Sequence, residues 1–596
     1  MPETGGNGLG VTATRAITLI AALAAGIGGF MLFLQFGAAD GLDSMDIVRS
    51  VLIFASTFWL AWGASTALIG LTTRPPAVPR DTGPLRGTTA ILVPVYNEDP
   101  LATFVRIAAM EASLKATGLG DHFHFAILSD TRNDQIAQAE RLTFLRLLEE
   151  TQGEGRIFYR RRTQNKGRKA GNIEEFIRQS GAAYEFSIIL DADSLIEGET
   201  LIEMVRRMQG DPKLGLLQTL PVIIHAHSRF GRAIQFAATF YSPVFCRGLA
   251  MMQGKTGPFW GHNAIVRTRA FAESCGLPEL SGKPPFGGHV LSHDYVEAAL
   301  LARNGWTVRV DDDIRGSYEE TPENIVDFAK RDRRWCQGNL QHSKIIGAPG
   351  LKPWSRFVFF QGILSYIAPV FWLGFILASI AAPLFAPPPD YFPVEDWPFP
   401  VLPVSQASKA LGLAIGVVGL LFLPKILIFF EALIRGRAKG FGGSGRALVS
   451  VLVELVFSSL IAPVLLAFQT RSVFQVLRGA DGGWPAQVRG DGSLTFGNAW
   501  AASHWITTTG LVLLGATFWL SPVLVPWLLP VGLPMVFAPA IICWSSKASR
   551  TPVFLTPVEW QPTAVMKLQH LILCRWQGME TPVENRDQPG QAVTHA

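Results

Sequence analysis

The segment Phe186-Ser-Ile-Ile-Leu-Asp-Ala-Asp193 is a short apolar run that ends in two carboxylates one residue apart. A run of this length and composition reads as a buried strand, and Asp191 and Asp193 then sit at its end. Working outward, Thr88–Pro94 (TTAILVP) is another apolar run of strand formers, and Leu101–Lys115 has helical spacing. His124–Ser129 is a second strand followed by a helix to Glu150, and Arg156–Arg161 is a third strand. Ala170–Ser180 reads as the helix that leads into Phe186–Leu190. Strand and helix alternate, which predicts an α/β domain with a mostly parallel sheet. Such sheets bind ligands beyond the carboxyl ends of their strands. Glu98, Asp99, Asp130, Asp191 and Asp193 all fall there.

The rest of the chain is of another kind. Of 596 residues, 48% are hydrophobic and 17% charged, against roughly 25% charged in soluble domains. Ala16–Ala39 and Ser50–Thr73 are uncharged runs, each longer than the roughly 20 residues that cross a bilayer as a helix. The first is too long for a cleaved leader, and a second span follows it directly. Further apolar runs occupy Phe357–Pro387, Ala410–Phe430, Ala447–Thr470 and His504–Ser546, the last long enough for two helices. Six to eight spans are expected. The units are residues 1–74 with two spans, 75–356 as the α/β domain, 357–546 as a second membrane region, and 547–596 as a tail. Arg435, Arg437, Lys439 and Arg446 place their loop in the cytoplasm, and the loop 387–406, without Lys or Arg, lies outside. The α/β domain is then cytoplasmic. A single crossing by 447–470 would put Arg471 to Arg489 outside, so a hairpin broken near Ser458 to Pro463 is favoured. Glu454 within this run predicts a protein-facing or functional position. Arg229–Phe245 carries Phe230, Ile234, Ala237, Tyr241 and Val244 at helical spacing and reads either as an interfacial helix or as an ordinary buried one.

The net charge of +5 comes from scattered Lys and Arg. No basic-aromatic motif points to nucleic acid, and no spacing suits zinc. Five separated cysteines do not suggest a disulfide framework.

Each candidate site residue has a plainer competitor. Asp191 and Asp193 can hold a hard cation such as Mg²⁺ that keeps positions open for diphosphate, or they can form an Asx turn. Asp130 can accept hydrogen bonds from a uracil or ribose, or cap a helix. Lys166-Gly-Arg-Lys-Ala-Gly-Asn172 opens a helix with basic residues and glycines, a phosphate-binding pattern, or it is a solvated turn. Asp294, in Ser292-His-Asp294, is a candidate general base or a helix cap. Arg331-Asp-Arg-Arg-Trp335 combines diphosphate-binding arginines with a ring on which a sugar can stack. Its competitor is a juxtamembrane basic belt.

In this order, Val93-Pro-Val-Tyr-Asn-Glu98, Leu128-Ser-Asp130, Lys169-Ala-Gly-Asn172, Asp191-Ala-Asp193, Ser292-His-Asp294 and Arg334-Trp335 resemble the family two glycosyltransferases of GT-A fold, which include cellulose and hyaluronan synthases. Phe259-Trp-Gly-His-Asn263, Gly287–Ala299 and Arg331–Asn339 are similar to the branch that makes osmoregulated periplasmic glucans in Gram-negative inner membranes. The resemblance covers about residues 10 to 550. It implies a processive, inverting β-glucosyltransferase, a hexosyltransferase that uses UDP-glucose with Mg²⁺ or Mn²⁺ and passes a growing glucan through the bilayer. It also implies a β-1,2 backbone, an acyl carrier protein partner and a periplasmic glucan-processing partner. By resemblance Asp130 and Glu98 bind the nucleotide end. Asp193, with Asp191, binds metal and diphosphate, joined by Lys169, Arg331 and Arg334. Asp294 is the base, Trp335 stacks on the acceptor, and Trp260, His262 and Asn263 line the acceptor end. Ser-His-Asp replaces the Thr-Glu-Asp of cellulose synthases and Arg331 replaces their Gln, which argues against cellulose as product. The remaining alternatives are a cellulose- or hyaluronan-type synthase and a non-enzymatic transporter with a nucleotide-binding domain. Positional analogy also makes the glycine-rich loop after Arg471–Arg478, with Trp484, a candidate gate, the competitor being a passive linker within 471–490.

Overall fold

The computed structural model describes residues 9–37, 42–73, 78–386, 407–482 and 492–579. The loop 387–406, Trp484 and most of the candidate gate lie outside the described residues. At the N-terminus, α1 (Leu9–Gly37) packs along α2 (Ser44–Thr72). Asp43 and Asp46 start α2 with a reciprocal capping box, each side chain accepting from the other's backbone N–H.

The α/β domain begins with β1 (Thr89–Val95), α3 (Pro100–Ala116), β2 (Phe123–Ser129), α4 (Asp134–Thr151), β3 (Ile157–Arg161), α5 (Arg168–Ser180) and β4 (Phe186–Ile189). The alternation expected from sequence is therefore present, with boundaries displaced by one or two residues. The chain continues through β5 (Leu195–Ile196), α6 (Gly198–Gly210), β6 (Leu214–Thr219), β7 (Val222–Ile223) and α7 (Arg229–Gln253). β8 (Ala264–Arg267), α8 (Thr268–Ser274), α9 (His293–Arg303), β9 (Thr307–Asp311), β10 (Ser317–Glu319) and α10 (Ile325–Gln341) complete it. Seven strands form one sheet in the order β3-β2-β1-β4-β8-β6-β9, parallel except where β8 pairs with its two neighbours. Its strands read as unbroken apolar runs because both faces are covered. Ile91, Val93, Phe125 and Ile188 face Phe104 and Met204 of the helices on one side. Leu92, Leu128 and Ile189 meet Ile173 and Phe176 on the other. β5, β10 and β7 make a small second sheet.

The face of α7 with Phe230, Tyr241 and Val244 is buried against other helices of the chain. Its crossing with α2 is a backbone contact: a Cβ at Gly70 would lie 1.9 Å from the Val244 carbonyl oxygen, and one at Gly248 would lie 1.9 Å from that of Thr66.

The C-terminal region comprises α11 (Pro353–Ala381), α12 (Ala407–Ile434), α13 (Ser444–Leu477), α14 (Phe496–Leu520), α15 (Val525–Val536), α16 (Ala538–Ser545), α17 (Pro557–Trp560) and α18 (Ala564–Gln577). Among the described residues five helices are long and apolar enough to cross a membrane, with the α15–α16 pair, bent by 60°, as a sixth at most.

Two expectations are corrected here. The run 447–470 is no hairpin but part of the continuous 34-residue α13. Ser458 and Ser459 turn their hydroxyls back onto the Leu455 carbonyl, which leaves the helix intact. Arg471–Arg478 is accordingly the end of α13 and not a separate interfacial helix. Both ends of α13 meet the α/β domain. Just before it, Arg437 donates to the Phe240 carbonyl of α7 at 3.0 Å. At its far end, Arg333 of α10 donates to Gln475 and, at 2.9 Å, to the Ala480 carbonyl. Glu454 is buried and paired with Lys425 of α12 at 2.8 Å, with the Tyr241 hydroxyl at 3.2 Å. The described part of the tail, for which the sequence set no structure, packs back onto the α/β domain. Val565, Met566, Ile572 and Trp576 of α18 join the core around α3, and Trp576 Nε1 donates to Glu150 at 2.9 Å.

Candidate active site

The carboxyl ends of β1, β2 and β4, the loop before β8, the start of α9, the end of β10 and the inner face of α10 enclose a cavity of about 770 Å³. Glu98, Asp130, Lys169, Asp191, Asp193, Trp260, His262, Asp294, Arg331, Arg334 and Trp335 all line it. The sheet brings Glu98, Asp130 and the D-x-D together because β1, β2 and β4 are parallel neighbours. The cavity also reaches Gly362, Ser365 and Tyr366 of α11, one of the long apolar helices.

Asp130 is not a cap: α4 is capped by Asn133. Its carboxylate takes both arms of Arg162, at 2.7 and 2.8 Å, and the Asn172 amide at 3.0 Å. Burial raises its pKa, while Arg162 opposes the shift. Arg162 also donates to the carbonyls of Lys166 and Arg168, so one guanidinium ties Asp130 to the start of α5. That start uses Gly167 at φ +69° as its cap residue with no side-chain cap bond.

Beyond β4, Lys169 forms an ion pair with Asp191 and donates to the Gly261 carbonyl at 2.7 Å. Ser194 Oγ accepts from the Asp191 backbone, closing the turn. Two arginines of α10 face these acids. Burial lowers the pKa of Arg331, with Glu319 and Asp193 opposing. It pushes Arg334 down to about 10, with Asp191 opposing. The Arg331 guanidinium lies 4.7 Å from the Trp335 ring centroid, leaving that half-exposed ring one face for a ligand.

Asp294 lies in the first turn of α9, whose cap residue Ser292 makes no side-chain cap bond. Burial raises the carboxyl pKa and His293 opposes it. This suits a group that must take a proton.

Asn263 departs from expectation. It is fully buried at φ +51° and does not line the cavity. Its amide donates to Ser317 Oγ at 3.0 Å and to the Tyr318 carbonyl at 3.1 Å, so it pins the loop to β10. Sequence reading missed Arg162 and Glu319. Glu319 lines the cavity with Oε2 3.3 Å from His262 Nε2. Each is a charged residue near a strand end, the same signal that marked Asp130.

The profile of "Glycosyl transferase family 2" matches residues 90–274, and that of "Glycosyl transferase family group 2" matches residues 188–423. The Glucans biosynthesis glucosyltransferase H of Cereibacter sphaeroides is 66% identical over 98% of this chain and 98% of its own. The protein of the same name from a Shewanella species is 42% identical over 90% of this chain and 77% of its own. A solved structure of GalNAc-T7 with UDP, GalNAc and Mn²⁺ overlaps at TM-score 0.27 and 12% identity, over 55% of this chain and 65% of its own, too little to carry an argument. With motifs, sheet and near full-length identity in agreement, the chain belongs to the glucans biosynthesis glucosyltransferase H family of glycosyltransferases.

Proposed function

We propose that the protein transfers glucose from UDP-glucose to a growing β-glucan on the cytoplasmic side of a Gram-negative inner membrane and passes the chain outward. The observation that carries this is the single cavity that gathers Asp130, Lys169, Asp191, Asp193, Asp294, Arg331, Arg334 and Trp335 and opens toward α11. The nucleotide would lie at the Asp130 end, and its diphosphate between the start of α5 and the two arginines.

Among the described residues no group of three or more His, Cys, Asp or Glu is placed to hold a metal. Two carboxylates with donor phosphates are what Mg²⁺ asks of a protein, so Asp193 with Asp191 fits. A bound cation would neutralise diphosphate charge there. Asp294 takes the proton of the acceptor hydroxyl, whose oxygen attacks the anomeric carbon opposite the leaving UDP. One such displacement turns an α-linked donor into a β-linked product. Arg334 and Lys169 receive the developing charge on UDP. Trp335 and Trp260 offer faces for the acceptor sugar.

Incubating purified protein with UDP-glucose and Mg²⁺ tests the reading. UDP release with a β-1,2-linked product is expected. A β-1,4 product would favour a cellulose-type synthase, and no UDP release would leave a transporter.

A further inference from the structure

We propose that Glu319, oriented by His262, reads a hydroxyl group of a hexose at the reaction centre and so sets sugar specificity; this rests on the function proposed above. Other carboxylates of the cavity have partners or proposed tasks: Asp130 holds Arg162 and Glu320 pairs with Arg106, while on the proposed function Asp191 and Asp193 face the diphosphate and Asp294 faces the attacking hydroxyl. Glu319 does not complete a metal site with them, since no such group of three exists among the described residues.

Its position is fixed by the backbone. In β10, Tyr318 points into the core and its hydroxyl donates to Glu197 at 3.0 Å. Neighbouring strand residues face opposite ways, so Glu319 projects into the cavity. The Glu319 carbonyl accepts from Ile224 at 2.9 Å. Asn263, next to His262, holds the two residues before Glu319, which places the imidazole against the carboxylate. His262 Nδ1 has no hydrogen-bond partner. A neutral ring therefore carries its proton on Nε2, toward Glu319.

Glu319 lines the same cavity as Asp191, Asp193, Arg331, Trp260 and His262. It thus shares that space with the groups assigned to the diphosphate and with the Trp260–His262 loop, where on the proposed function the sugar being transferred meets the sugar that receives it. A carboxylate accepts at about four lone-pair positions. His262 uses one, and sugar hydroxyls are the natural donors for the others. A site built to bond a hydroxyl rejects the analogue that lacks it.

The experiment uses full-length protein with UDP-glucose analogues deoxygenated at single ring positions, and in a second arm with acceptor oligosaccharides deoxygenated on the terminal sugar. In the wild type one analogue should lose about 10- to 100-fold in kcat/KM, the worth of one charge-assisted hydrogen bond. In Glu319→Ala that analogue should perform within about threefold of the intact sugar. UDP affinity by calorimetry should remain within about threefold of wild type, because the nucleotide end is untouched. The arm that responds tells donor from acceptor. Glu319→Gln keeps the shape of the side chain and carries the test should the alanine variant fail to fold. Discrimination unchanged in both arms overturns the inference alone. Loss of UDP binding in a folded variant also overturns it, moving Glu319 to the nucleotide end. A wild type that releases no UDP from UDP-glucose overturns the functional reading and this inference with it.

Discussion

The base role proposed for Asp294 turns on one carboxyl held above its ordinary range by burial, with His293 and Lys169 opposing. A base works only when ionised, so turnover should be lost as pH falls through the raised pKa. The acid limb of kcat/KM should therefore lie above the value of about 3.9 for an ordinary Asp. Asp294→Asn should remove about 10² to 10⁴ in rate and leave UDP affinity within a few-fold. Calorimetry checks the second half, and loss of UDP binding would make Asp294 a nucleotide or structural residue. Asp193→Ala should abolish both metal dependence and UDP binding, since on the proposed function the cation that supports diphosphate binding would be held there. UDP affinity in wild type that excess chelator leaves unchanged would refute that role. Asp193 was legible in sequence because it follows an apolar run, and Asp294 because it stands at a helix start in Ser292-His-Asp294. Arg162 and Glu319 carry the same strand-end signal as Asp130, but their pairing with Asp130 and His262 was not legible, because those partners are remote in sequence and only the fold brings them near. Asn263 shows the opposite case, since resemblance of the Phe259–Asn263 stretch placed it at the acceptor end while its amide bonds to β10.

Among elements, the parallel strands were the most legible, since burial on both faces leaves an apolar run that little else explains. α13 was misread because Ser458, Ser459 and Pro463 look like a break, whereas local back-bonding keeps the helix whole. A hairpin is the turn that the positive-inside rule asks for if Arg471 and Arg478 are to lie on the cytoplasmic side. Contacts of both ends of α13 with the α/β domain would keep them on that domain's side without a turn. At 34 residues the helix is roughly 50 Å long, well over the roughly 30 Å hydrocarbon core. Length alone would let it cross, but because both ends contact the α/β domain, Ser444 and Arg478, exposed near those ends, should report one side. Cysteines at these positions should resist an impermeant maleimide in intact cells and react in inverted vesicles. Labelling of either one from outside would mean that α13 crosses.

Across the whole molecule, the active-site cavity shares Leu220, Ser242 and Trp260 with a second cavity of about 500 Å³ between α2, α7, α11 and α12. Trp59 and Trp62 of α2 and Lys425 of α12 line that second space. Three of the four helices are apolar enough to cross a membrane, and tryptophan faces are suited to successive sugar rings. A chain extended at Asp294 would then leave past Ser242, with α2 and α7 held in backbone contact at Gly70 and Gly248. Composition reveals the spans but not this junction, because it depends on which faces of distant helices meet. Ser242→Trp would fill the junction without touching the nucleotide end. UDP affinity should stay within about threefold, and short products should still form. Long glucan should fall at least about tenfold, because a blocked exit arrests the chain after a few additions. Wild-type product length in a folded Ser242→Trp variant would show that the glucan leaves by another route.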